Sequence, residues 1–151
     1  LSALSWWAEL WAAPAALGFA ILFNVPPRAL LPACLLAIVG HVARRLMVVA
    51  GSDMVLATLV AALLIGVAAG WWGRRTRQAS EIFSISAAIP LVPGVSMYKA
   101  AQALLGIAGV ETSVGGEAFL LDAGVYAVKA VMIMLALAIG IAAPMLLWPR
   151  R

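Results

Sequence analysis

Apolar residues run in long blocks along this chain, and polar residues gather in the short gaps between them. Blocks at 6–23, 29–46, 54–72, 82–110 and 118–148 approach or exceed the roughly 20 helical residues that cross a bilayer. The pattern predicts an all-α integral membrane protein, one domain over 1–151, with about five transmembrane helices. The last block is too long for a perpendicular crossing and is expected to tilt or protrude. The fourth is interrupted near 90–94 by IPLVPGVSMYK (89–99), where two prolines and a glycine fall within five residues.

Pro90 and Pro93 each remove a backbone donor and obstruct the preceding turn, and Gly94 admits angles that other residues resist. The fourth block is therefore expected to split into half-helices at 82–89 and 95–110. Broken helices at membrane depth are tolerated inside protein or beside a water-filled cavity. The second half would begin with free N–H groups at Val95, Ser96 and Met97, a partial positive charge suited to an anion. Ser96, Lys99, Gln102 and Gly106 recur every three or four residues and form one polar or small stripe. Gly94, Val95, Ser96, Tyr98, Lys99 and Gln102 thus become candidate substrate-binding residues. The competing reading is a proline kink with Lys99 snorkelling to an interface.

On the last block Asp122, Tyr126 and Lys129 lie at i, i+4 and i+7 and share one face, which makes them candidates for gating or coupling. Asp122 also reads as an interfacial carboxylate, since Gly115 and Gly116 lie just before the span. Glu9, flanked by tryptophans, reads as interfacial. His41, beside Arg44 and Arg45, reads as a polar cap or a proton shuttle, and Asn24 as a cap or a turn hydrogen-bonder. Ser84 and Ser86 precede the break and are placed to line the same cavity. Small residues four apart at Ala62, Gly66 and Gly70, and the row Ala13, Ala16 and Ala20, are surfaces for close helix packing.

Composition agrees with the pattern. The chain is 66% hydrophobic and 11% charged, whereas a soluble domain carries roughly a quarter charged residues. Lipid is therefore its solvent. The net charge of +4 is not read as nucleic-acid binding, because the arginines cluster at segment ends. Arg28, Arg74, Arg75, Arg77, Arg150 and Arg151 share one side; Arg44 and Arg45 fall on the other with Asp53, Glu111 and Glu117. That asymmetry predicts an inner-membrane protein with a cytoplasmic C-terminus and an external N-terminus. LSALSWWAELW has no basic residue and is not read as a signal peptide. Cys34, alone among apolar neighbours, excludes an internal disulfide and a multi-cysteine metal site. With one histidine, no GxSxG and no Walker-type loop, neither an enzyme nor a metal or other cofactor is expected.

The stretches GFAILFNVPPRALLPACLLAIVGHVARRLM and IFSISAAIPLVPGVSMY resemble the threonine/serine exporter family, and within it the short YjjB-type subunit. The resemblance covers about 18–109; the last span matches mainly in hydropathy. It implies a membrane exporter of two unlike parts, the other being a larger YjjP-type membrane subunit. The split pair is associated with succinate and related dicarboxylates, the fused type with threonine and serine. It also implies structural-motif roles for Asn24, Pro26, Arg28, Pro90 and Pro93, beside Gly94, Ser96 and Tyr98. The expectation is a bilayer-embedded, oligomeric subunit of a secondary exporter of small carboxylates. The alternatives are a threonine/serine exporter subunit and a non-transporting scaffold for a partner.

Overall fold

The computed structural model describes residues 7, 9–109 and 116–147. Trp6, Val110, Glu111, Gly115, Trp148, Arg150 and Arg151, which enter the expectations above, lie outside them. Among the described residues the regular elements are helical: α1 (Ala12–Leu22), α2 (Pro27–Val49), α3 (Met54–Thr76), α4 (Ser80–Ala88), a 3-10 turn (Ile89–Leu91), α5 (Gly94–Ala108) and α6 (Gly116–Leu147). Helices α2, α3 and α6 are long and apolar enough to cross a membrane, and the interrupted run of α4 and α5 makes a fourth if its halves count as one span. The expected span at 6–23 is shorter among the described residues. Helix α1 has 11 residues, about 17 Å, against a hydrocarbon core of about 30 Å. Helix α6, with 32 residues, is about 48 Å long, in keeping with the expected excess length.

Three helix ends close in the same way, with a left-handed residue and backbone bonds that reach back over the last turn. After α1 the left-handed residue is Asn24 (φ 54°); its N–H reaches Ile21 C=O at 2.9 Å and that of Val25 reaches Ala20 C=O at 2.9 Å. After α2 it is Gly51 (φ 91°), with Ser52 N–H on Met47 C=O at 2.9 Å. After α3 it is Arg77 (φ 55°), with Gln78 N–H on Gly73 C=O at 3.0 Å. Asn24 therefore serves the turn through its backbone angle. The expected side-chain cap is absent, and α2 begins on Pro26 and Pro27 instead. Proline suits a first helical turn, where its missing N–H would have no partner anyway. A left-handed angle costs a residue bearing a Cβ about 1–2 kcal/mol. Arg77→Gly is accordingly expected to raise the melting temperature by about 2–8 °C, and Asn24→Val to lower it, measured by thermal unfolding in micelles.

The chain forms two compact units, Leu1–Val92 with Ala136–Arg151, and Pro93–Leu135. In the first, the core is built largely of alanine: Ala16, Ala29, Ala37, Ala61, Ala62 and Ala69 are buried around Ile65, Phe83 and Leu91, the largest fully enclosed apolar side chains. Small residues let helices approach until dispersion contacts exceed those lipid can offer. The predicted stripe on α3 finds its partner in the C-terminal part of α6. A Cβ on Gly140 would stand 2.5 Å from Ala62 Cβ and 2.9 Å from Leu59 O; one on Gly66 would stand 3.0 Å from Ile141 O. Gly70, which the pattern placed in the same stripe, has open space. On α1 the buried row is Ala12, Ala16 and Ala20, so Ala12 stands where Ala13 was expected. In the second unit α5 packs antiparallel against the first part of α6. Gly106 lies under the Phe119 ring, Lys99 meets Tyr126, and Ala100, Ala103, Ala123 and Ala130 are buried.

Candidate functional site

The first half of the broken segment ends on carbonyls that have lost their helical donors. Ile89 C=O still accepts from Val92 N–H at 3.0 Å. Beyond it Pro93 has no N–H to give and α5 starts afresh at Gly94, so Pro90 and Leu91 present free oxygens, as helix C-termini do. Helix α2 supplies their partners. His41, Arg44 and Arg45 stand at i, i+3 and i+4 and share a face. His41 Nε2 lies 2.9 Å from Pro90 O, and Arg44 Nη1 donates to Leu91 O at 2.9 Å. Cationic groups here also offset the negative end of the helix dipole.

Glu9 completes the group from just before α1. Its Oε1 accepts from Arg45 Nη1 at 2.7 Å, and its Oε2 lies 3.1 Å from His41 Nδ1. The side chains of Glu9, His41 and Arg45 are only 15–19% exposed. With Val48 and Met54, these residues line a cavity of about 330 Å³. Two arginines and a histidine face one carboxylate there, so the cavity favours anions.

Sequence reasoning left this cluster out. The sequence reads Glu9 as interfacial and His41 as a cap or shuttle; the structure joins both, half-buried, in one network at the break. The available signal was the 41, 44, 45 spacing on one helix face, opposite one of the few carboxylates of the N-terminal half. The same arginines also fit a topology signal, which hides the cluster.

The candidates after the break lie in the second unit. Val95, Tyr98, Lys99 and Gln102 are exposed and Ser96 is half-buried. Met97 N–H is bonded to Pro93 C=O at 3.0 Å, which corrects its expected free state. The N–H groups that precede the first helical bond are those of Gly94, Val95 and Ser96. Lys99 joins the expected coupling set: its Nζ donates to Tyr126 Oη at 3.4 Å and stands 4.9 Å from the ring centroid, a cation–π geometry. Asp122 and Lys129 are exposed on the same helix. The contacts of Lys99 with Tyr126 and of Gly106 with Phe119 set a register in which Asp122 falls opposite Ala103, one turn away from Lys99. Pro93 is buried, while Asn24, Pro26 and Arg28 are exposed at the α1–α2 turn. Ser84 and Ser86 are buried with no partner for either hydroxyl among the described residues. Ser86 lines a different cavity from the one at the break, about 300 Å³, with Phe23, Val25, Glu81, Ile82 and Ile85.

Comparison with known proteins gives a family match over nearly the whole chain. The family described as "Threonine/Serine exporter, ThrE" matches residues 9–147. No solved structure matches the chain.

Proposed function

The chain belongs to the threonine/serine exporter family, and on that premise we propose that it is the short, YjjB-type subunit of a two-component secondary exporter whose substrate is succinate or a related dicarboxylate. The observation that carries this reading is the excess of cationic groups, Arg44 and Arg45 over Glu9, beside His41 around a cavity of about 330 Å³. That volume lies at the small end of the roughly 300–1,000 Å³ typical of ligand sites, which suits a compact anion. Arginine is the side chain best matched to a carboxylate.

The proposed partner is the larger YjjP-type subunit. Val95, Tyr98, Leu104 and Leu105 on α5, and Leu120, Leu121 and Val125 on α6, expose apolar surface that lipid or partner helices can cover. The proposed orientation, in the inner membrane with a cytoplasmic C-terminus and an external N-terminus, gains support from Arg44 and Arg45. Their bonds to Leu91 O and Glu9 account for them without topology, leaving Arg28, Arg74, Arg75 and Arg77 to set the positive side.

A second reading, export of threonine or serine, is favoured by Glu9. A zwitterion would set its ammonium on that carboxylate and its own carboxylate on the arginines. Efflux of labelled succinate and labelled threonine from vesicles holding the chain, with and without the larger subunit, separates the cases. Succinate efflux with both chains present is the expected result. Threonine efflux alone would move the protein to the amino-acid branch, and absence of flux from a stable complex would make it a scaffold. In the same assay Lys99→Met is expected to lower succinate efflux about tenfold, the worth of one charge-assisted hydrogen bond, with complex yield unchanged. Unaltered kinetics would remove Lys99 from the path.

A further inference from the structure

Both ring nitrogens of His41 face groups that can only accept. Nε2 points at the carbonyl oxygen of Pro90 from 2.9 Å, and Nδ1 at a carboxylate oxygen of Glu9 from 3.1 Å. Arg45 donates to the other oxygen of that carboxylate at 2.7 Å, so both oxygens of Glu9 stand as acceptors. A neutral imidazole has one N–H and one lone pair. It can satisfy one of these two contacts but not both.

We propose that His41 is a proton-binding site of this exporter subunit, occupied in the arrangement seen here, and that the bound proton ties the Glu9 segment to the broken helix. The inference rests on the transport reading for its use, but not for its chemistry. The bound state has N–H on both nitrogens, donating to Glu9 and to Pro90. On release, the proton on Nδ1 passes to solvent entering the cavity, and the lone pair left behind faces a carboxylate oxygen. The Glu9 contact then opens while Nε2–H stays on Pro90 O, because Glu9 retains Arg45 whereas the Pro90 carbonyl has lost its helical donor at the break. The charge around the ring is mixed. Glu9 favours the second proton, and Arg44 and Arg45 on the same helix oppose it. On the elements packed against α2, Asp53 caps α3 through Val55 N–H, Arg74 and Arg75 close the far end of α3, and Glu81 lines the other cavity. Glu9 alone among these carboxylates touches the ring. Geometry thus calls for a proton that the two arginines work to expel, and imidazole is the side chain suited to exchange one between about pH 5 and 8.

His41 is the one histidine of the sequence, so ring 15N NMR of the histidine-labelled full chain in bilayers, purified without a histidine tag, reads this site alone. The expected result is a ring with both nitrogens protonated at the acid end of pH 5–9, converting to a neutral ring protonated on Nε2. In Glu9→Gln the amide can donate to Nδ1, so a neutral ring satisfies both contacts. At the acid end of the series this variant should then show a neutral ring where the natural chain shows both nitrogens protonated. If Glu9→Gln does not fold, the distance from Nδ1 to the Glu9 carboxyl carbon in the natural chain replaces it: short at the acid end, lengthened at the alkaline end. A neutral ring throughout, a titration indifferent to Glu9→Gln, or a distance that does not change with pH would overturn the proposal. Absence of flux from a complex whose His41 titrates as described would instead sink the transport reading and leave the proton site standing.

Discussion

Gly140→Ala is expected to destabilise the first unit by about 2–3 kcal/mol, the upper range for overpacking a tight interior. The added Cβ would lie 2.5 Å from Ala62 Cβ, 2.9 Å from Leu59 O and 3.0 Å from Leu63 N. Two of those three atoms belong to the α3 backbone, so no side-chain rotation relieves the clash and the helices must separate. Separation would also lengthen the contact of Gly66 with the Gly140 and Ile141 carbonyls, now 3.1 and 3.0 Å from where a Cβ would be. A loss of this size is a large share of the roughly 5–15 kcal/mol that holds a domain together. Gly70→Ala is the control. It lies on α3, the helix that Gly140 meets, has nothing within 4 Å, and should gain up to about 1 kcal/mol in helix propensity. Thermal unfolding of both variants in one detergent makes the comparison; equal melting points would refute the close α3–α6 contact.

That pair of glycines shows what was legible in the chain and what was not. Ala62 and Gly66 were identified as a packing stripe because a four-residue spacing of small side chains is a local property. Their partner, more than 70 residues away on α6, left no local mark, and Gly70 satisfied the spacing while facing open space. The long spans α2, α3 and α6 were legible for a similar reason, since apolar runs bounded by prolines and arginines carry their own limits. The break was legible because proline lacks a donor wherever it stands. What the break does was less so. The partners of the carbonyls at 90 and 91 are side chains about 50 residues earlier, and a backbone oxygen has no signature by residue type. Arg44 and Arg45 compounded the difficulty, because an arginine near a helix end is also what topology demands.

Arg45→Gln tests whether that hidden cluster is energetically coupled. Removing the guanidinium leaves the Glu9 carboxylate, 15% exposed, with His41 as its remaining contact from the cluster. Breaking one side of a buried ion pair costs about 3–5 kcal/mol, and the residual exposure of both groups lowers that to about 2–4 kcal/mol, since solvent screens part of the charge. Glu9→Gln removes the same attraction from the other side. The double variant Glu9→Gln/Arg45→Gln counts that attraction once, so it should lose less than the two single losses added together. A coupling of about 1 kcal/mol or more is the expected signature of a direct pair. Arg75→Gln provides the baseline: that exposed side chain rests 5.8 Å from the Trp71 ring centroid and should cost no more than about 0.5 kcal/mol. Unfolding of the four variants yields the coupling, and strict additivity would mean that Glu9 and Arg45 do not hold one another. The same cycle bears on transport. If the carboxylate is what occupies the cations between substrates, Glu9→Gln should tighten succinate binding while Arg45→Gln weakens it, a divergence that loss of stability alone cannot produce.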